Sequence, residues 1–137
     1  MFDSYESDHI IEEVPKQDIT SVNPVYYMPR RPVLMLSSSS TKVRPVFDAS
    51  AFWYNGVSLN DCLSSGLSLN SDLVEVFMRF RRWPVAIIAD IKKFFLQISV
   101  QRKDRDVHRF LLTRDESTMR HMNFTRVPFG NTSSPFL

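Results

Sequence analysis

Two short runs of apolar and β-branched residues, 33–36 and 42–47, stand on either side of the polar segment 37–41. This arrangement predicts a β-hairpin with a long, solvated loop. The preceding segment, 23–32, contains three prolines and two adjacent tyrosines, so we expect it to be extended rather than helical. Asn55–Gly56 predicts a turn within a loop-rich region that runs from residue 51 to residue 69.

A helical period follows in residues 71–83. Ser71 or Asp72 can cap the start, and the arginines near the end complement the helix dipole. The apolar positions that recur at helical spacing are Leu73, Val74, Val76, Phe77, Phe80 and Trp83. Pro84 ends this helix, and the apolar run after it predicts a buried strand that ends at Asp90.

The remainder of the chain favours a charged turn at 101–106 and strands at 107–113 and 121–127, joined by a hairpin at 114–117. The first 22 residues are acidic and lack clear periodicity, so we expect a flexible lead-in. The pattern as a whole predicts an α+β fold in the remaining residues, 23–137.

Composition limits the functional classes. The 137 residues suffice for one domain with a core. Residues 1–24 carry a net charge of −5 and the remaining residues carry +7. The basic part suits a polyanionic partner, although a moderately basic surface is also common in folds without one. A single cysteine, Cys62, excludes an internal disulfide and fits a reducing compartment. No apolar stretch reaches transmembrane length, so we expect no membrane partner.

Asp90 is the first candidate for chemistry. A carboxylate where a strand leaves the core is held rigidly and is a common way to present a metal ligand. The alternative is that Asp90 caps a short helix, and the strand by itself does not decide between the two.

Two runs, in this order, resemble the first two palm motifs of a reverse transcriptase. Residues 90–98 match the pattern Asp-hydrophobic-Lys-x-x-aromatic-x-Gln-Ile, and residues 128–135 match Pro-Phe-Gly-x-x-x-(Ala/Ser)-Pro. Upstream, residues 26–29, 41–50 and 55–61 are similar to the fingers region of Bel/Pao LTR retrotransposons. The resemblance extends over residues 23–137.

The resemblance implies the fingers and partial palm of a right-hand polymerase, with an incomplete antiparallel sheet and packed helices. It implies an RNA-directed DNA polymerase that uses two-metal nucleotidyl transfer. The third motif of that family, which carries two further aspartates, would follow residue 137. We therefore expect a fragment that is inactive as an isolated chain. The alternatives are a decayed, non-catalytic remnant and a nucleic-acid-binding module.

The resemblance also implies roles for two groups around the reacting phosphate. Asp90 would be the catalytic carboxylate and a ligand of Mg2+ (or Mn2+) in the complete domain, with the backbone carbonyl of Ile91 as a further ligand. Arg44 would lie over the triphosphate of the incoming nucleotide, with Lys42 assisting, because a guanidinium suits bidentate contact with phosphate.

Three further residues would contact the nucleotide. Phe95 would lie beside its sugar and exclude a 2′-hydroxyl, while Phe129 and Gly130 would face the nucleotide and the template. A core role for Phe95 and an ordinary turn at Gly130 are the alternatives. The implied partners are an RNA or DNA template-primer and a dNTP. The implied location is intracellular and cytoplasmic, in a retroelement particle.

Overall fold

A computed structural model describes residues 2–20, 22–34, 43–67, 71–113 and 118–136. Within them the fold is mixed α+β, with antiparallel sheets and a few helices. The strands are β1 (Ile11–Glu13), β2 (Arg30–Leu34), β3 (Val43–Phe47), β4 (Arg109–Thr113) and β5 (Met119–Phe124). The α-helices are α1 (Phe2–Ser7), α2 (Leu59–Cys62) and α3 (Leu73–Phe80). The 3-10 helices are Lys16–Asp18, Phe94–Gln97, Arg102–His108 and Ser134–Phe136.

The larger sheet has the order β1-β5-β4, with both pairs antiparallel. In β4, Phe110 and Leu112 point into the core while Leu111 and Thr113 are exposed, as the two-residue period of a half-buried strand requires. Phe110 pairs with Met122 on β5, and both side chains are fully buried. This pair forms the centre of the core.

The β2–β3 hairpin packs onto that core. The two strands pair antiparallel with Val33 opposite Arg44, which confirms the predicted hairpin. The Phe47 ring at the end of β3 meets the Phe110 and Phe124 rings edge-on, with centroids 5.0 and 4.8 Å apart. Aromatic packing therefore holds the hairpin against the larger sheet. The expected hairpin loop 37–41 and the candidate residue Lys42 lie outside the described residues.

The N-terminal residues belong to the fold, which differs from the flexible lead-in expected from the sequence. Ile11 pairs with Phe124 in the sheet, and Ile10, Ile11 and Val14 are buried. The acidic side chains meet basic ones: Arg120 on β5 contacts Glu6 and Glu13, each at 2.8 Å. The high charge of this segment is thus complemented, and its isoleucines supply the hydrophobic burial.

Helix α3 forms where the helical period predicts it, over a shorter range than 71–83. The Asp72 carboxylate accepts a hydrogen bond from the Val74 N–H at 2.7 Å, which confirms the expected N-cap. No residue of α3 is buried, and Leu73 is 66% exposed. The apolar face of this helix is therefore open in the described part of the chain.

The buried strand expected to end at Asp90 is not formed, and this prediction is wrong. Residues 84–91 have no regular secondary structure, and Ile87 and Ile88 are more than four-fifths exposed. A strand forms only where a neighbour receives its backbone hydrogen bonds. The described residues offer this segment no strand partner.

Two further predicted strands are present with shifted limits. The strands expected at 107–113 and 121–127 are β4 and β5, and the charged turn at 101–106 is the 3-10 helix Arg102–His108. The expected hairpin loop 114–117 lies outside the described residues. None of the helices in the described ranges has the length and apolar character needed to cross a membrane.

Candidate functional site

The two motifs meet through a pair of aromatic rings. Phe95 lies in the 3-10 helix Phe94–Gln97, which begins after Lys93 in a left-handed conformation (φ 55°). Its ring meets the Phe129 ring edge-on, with centroids 5.2 Å apart and planes at 78°. Phe95 is half-buried, whereas Phe129 is 52% exposed. The first and second motifs therefore lie side by side at the surface.

Gly130 brings this pair against the hairpin. Its φ is +102°, a conformation that side chains disfavour. A Cβ at this position would lie 2.8 Å from the carbonyl oxygen of Phe47 at the end of β3. The absence of a side chain is therefore what allows the loop to contact the β3 backbone.

A small cavity of about 100 Å³ marks the place where these segments meet. It is bounded by the end of β3, by the loop at Phe129 and Gly130, and by Tyr5 of α1. The other lining residues are Pro45, Val46, Phe47, Leu96 and Phe124. The cavity is mostly apolar, so a charged group could lie only at its rim.

Arg44 lies on β3, the strand whose last three residues line this cavity. Alternate residues of a strand share a face, so Arg44 lies on the exposed face of β3, opposite the buried Phe47. Arg44 is exposed, and its guanidinium carries a permanent charge. The structure thus brings three predicted residues, Phe95, Phe129 and Gly130, to one surface region, and Arg44 lies on the neighbouring strand.

Asp90 and Ile91 do not lie on a helix or strand that would hold them at this surface region. Both are exposed and lie in the irregular segment that replaces the expected strand. A divalent ion such as Mg2+ needs several oxygen ligands. The described residues contain no group of three or more His, Cys, Asp or Glu side chains that could hold one. Asp90 by itself does not fit a metal centre.

Asn60 is a residue of this region to which the sequence patterns assigned no role. Its side chain hydrogen-bonds to the loop that carries Gly130, at Gly130 and at Thr132. A usable signal was present, because Ser58 and Asp61 have the spacing of a capping box and predict a short helix here. That signal locates the helix but not the contact, which joins segments distant in the sequence.

A buried histidine, His108, also bonds to this loop, through the side chain of Asn131. The carbonyl of Asp104 can only accept, so the His108 Nδ1 that lies 3.2 Å from it carries the proton. The Nε2 atom then accepts from the Asn131 amide nitrogen at 2.7 Å. Burial lowers the pKa of His108, against the opposing influence of the Asp104 carbonyl and carboxylate. The neutral ring is therefore the form that the fold accommodates.

Acid should destabilise the fold through His108. Because its pKa is lower in the folded than in the unfolded chain, its stabilising contribution is complete above about pH 6.5 and is lost as the pH falls below that value. A protonated Nε2 would also oppose the Asn131 N–H group. We expect the melting temperature to fall between pH 7.5 and 5, and to fall less in His108→Gln. An equal acid response in the two proteins would contradict this prediction.

Comparisons with known proteins give no further assignment. A scan against models of protein families finds no family that matches the chain, and a search of curated proteins finds no match either.

Proposed function

We propose that this chain forms the fingers and the first part of the palm of an RNA-directed DNA polymerase of a retrotransposon, similar to the Bel/Pao group. One observation carries the proposal. Gly130 of the second motif packs on the end of β3, and the adjacent Phe129 contacts Phe95 of the first motif. Segments that resemble three separate polymerase motifs thus converge on one cavity.

The proposed ligand is a deoxynucleoside triphosphate at the rim of the cavity. Phosphoryl transfer needs positioning and electrostatic stabilisation more than covalent chemistry from the protein. Arg44 would supply a planar, charged donor for the triphosphate, and Phe95 would limit the space beside the sugar. Phe129 and Gly130 would form the wall against which the nucleotide lies.

The divalent ion belongs to the proposal only for a complete polymerase domain. There, Asp90 and the carbonyl of Ile91 would each supply one oxygen to Mg2+ or Mn2+. The template-primer would lie along the basic part of the chain, which carries a net charge of +7 over residues 25–137. Such a polymerase works inside the cell, in the cytoplasm, which agrees with the single cysteine.

Arg44→Ala should weaken nucleotide binding for every base alike. A charge-assisted contact of this type is worth about 1.5–3 kcal/mol, so the dissociation constant should rise about tenfold to hundredfold. The measurement is a titration of the chain with a fluorescent deoxynucleoside triphosphate and Mg2+. The dissociation constant of Arg44→Lys should lie between those of the wild type and Arg44→Ala, because lysine keeps the charge but lacks the planar guanidinium.

Arg79→Ala is the matched control. It removes the same charge from the exposed side of α3, where Arg79 pairs with Glu75. The affinity of Arg79→Ala for the nucleotide should equal that of the wild type. Equal losses in Arg44→Ala and Arg79→Ala would mean that only net charge matters. Salt-sensitive binding of template-primer without any nucleotide binding would favour the nucleic-acid-binding module instead.

A further inference from the structure

The Asn60 side chain is hydrogen-bonded to the two peptide groups that flank Asn131. Its Nδ2 donates to the carbonyl oxygen of Gly130 at 3.0 Å, and its Oδ1 accepts from the N–H of Thr132 at 2.9 Å. The Nδ2 also donates to Ser50 Oγ at 2.9 Å. Because a carbonyl can only accept and a backbone N–H can only donate, these partners fix which end of the amide is oxygen.

The backbone that presents Asn60 is itself held in place. Asn60 belongs to α2, whose first turn is closed by a capping box between Ser58 and Asp61. Hydrogen bonds from the Ser58 side chain and backbone favour the ionised Asp61 carboxylate and lower its pKa. The Asn60 N–H donates to the carbonyl of Ala49 at 3.0 Å, which attaches α2 to the segment just after β3.

The loop that Asn60 holds is the one on which the candidate site depends. The Gly130 carbonyl accepts a hydrogen bond from Asn60, and the Gly130 backbone packs against the backbone of Phe47. The neighbouring Phe129 ring contacts Phe95. A small shift of this loop would therefore move the wall of the cavity relative to β3.

We propose that Asn60 is a positioning residue for the nucleotide site: it holds the loop 129–132 at the distance from β3 that nucleotide binding requires. The inference depends on the proposed function, and Asn60 itself does not contact the nucleotide. Asparagine suits the role because one short amide supplies the acceptor for Thr132 and the donor for Gly130. Aspartate keeps the acceptor but sets a carboxylate oxygen against the Gly130 carbonyl, and alanine removes both bonds.

The experiment measures two properties of the same variants. Amide hydrogen exchange of Thr132 by NMR reports the bond to Oδ1, and the fluorescent nucleotide titration reports the site. In Asn60→Ala, Thr132 should exchange about tenfold faster and nucleotide affinity should fall about tenfold. In Asn60→Asp, Thr132 exchange should stay within about twofold of wild type, while affinity falls as it does in Asn60→Ala.

Asn55→Ala is the matched control, because Asn55 makes a local bond to the Val57 N–H at 3.2 Å on the same segment. It should leave Thr132 exchange and nucleotide affinity unchanged. Unchanged Thr132 exchange in Asn60→Ala would overturn the inference. So would faster exchange with unchanged affinity, since Asn60 would then be only structural. If the wild type binds no nucleotide, the proposed function fails, whereas Thr132 exchange still shows whether Asn60 fixes the loop.

Discussion

Replacing Arg109 by alanine should lower the free energy of unfolding by about 3–5 kcal/mol, because it breaks a buried ionic network from one side. The Arg109 side chain is fully buried on β4, yet every part of its guanidinium has a partner. Nε and Nη2 donate to the Asp106 carboxylate at 3.1 and 2.6 Å. Nη1 and Nη2 donate to the carbonyls of Ile19 and Asp18 at 2.9 and 2.6 Å.

The loss would arise because Arg109 is fully buried and its partners are only partly exposed to water. Asp106 would lose its counter-charge, and the carbonyls of Asp18 and Ile19, at the end of the 3-10 helix Lys16–Asp18, would lose their donors. A domain of this size is stabilised by only about 5–15 kcal/mol, so the variant would be close to unfolding. Urea denaturation followed by circular dichroism measures the difference.

Arg79→Ala provides the comparison for this prediction too, because the Arg79–Glu75 pair on α3 is mostly exposed. Exposed pairs of this kind contribute less than about 0.5 kcal/mol. A cost below about 1 kcal/mol for Arg109→Ala would show that the Arg109 network contributes little. Arg109→Lys keeps the charge and tests whether the fork geometry itself is required.

Gly130→Ala should cost about 2–6 kcal/mol and should abolish nucleotide binding by the proposed site. Two effects add. The φ of +102° strains any residue with a Cβ, at about 1–3 kcal/mol. The new methyl group would also lie 2.8 Å from the Phe47 carbonyl oxygen, a backbone atom that cannot rotate away, and overpacking of this kind costs about 1–3 kcal/mol.

Gly56→Ala separates these two effects. Gly56 also has a positive φ, of +76°, but a Cβ there would meet no atom within 4 Å. It should therefore show the strain without the clash, and it should leave nucleotide affinity unchanged. Equal costs for the two glycine variants would mean that the contact between Gly130 and β3 is not tight. Melting temperatures and the nucleotide titration give both comparisons.

Local patterns were sufficient for elements whose partners lie close in the sequence. The β2–β3 hairpin and the Asp72 cap of α3 follow from alternation and cap chemistry over a few residues. The apolar run before Asp90 is typical of a strand buried on both faces, but such a strand exists only if others flank it. Periodicity reports what a segment could bury and carries no information about whether a partner is present.

The N-terminal region shows the opposite error. Its acidic composition suggested a solvated lead-in, but two isoleucines and one valine are enough to anchor it. The strand β1 is three residues long, which is too short to produce a recognisable period.

The candidate site was predictable only in part. Phe95, Phe129 and Gly130 came from motif resemblance, and the contact between the two rings agrees with their placement in one site. The amide of Asn60 could not be assigned because its bonds go to the backbone of a loop 70 positions away. Every residue type except proline has both backbone groups, so no sequence pattern marks them.

The pairing of β1 with β5 has a consequence for synthesis on the ribosome. Residues 11–13 are synthesised more than 100 residues before the strand that receives their hydrogen bonds, which ends at residue 124. At about 5–20 residues per second, the first segment must wait roughly 5–20 s for its partner. During that time its isoleucines remain uncovered, so a nascent chain should be a client for chaperones until β5 has emerged.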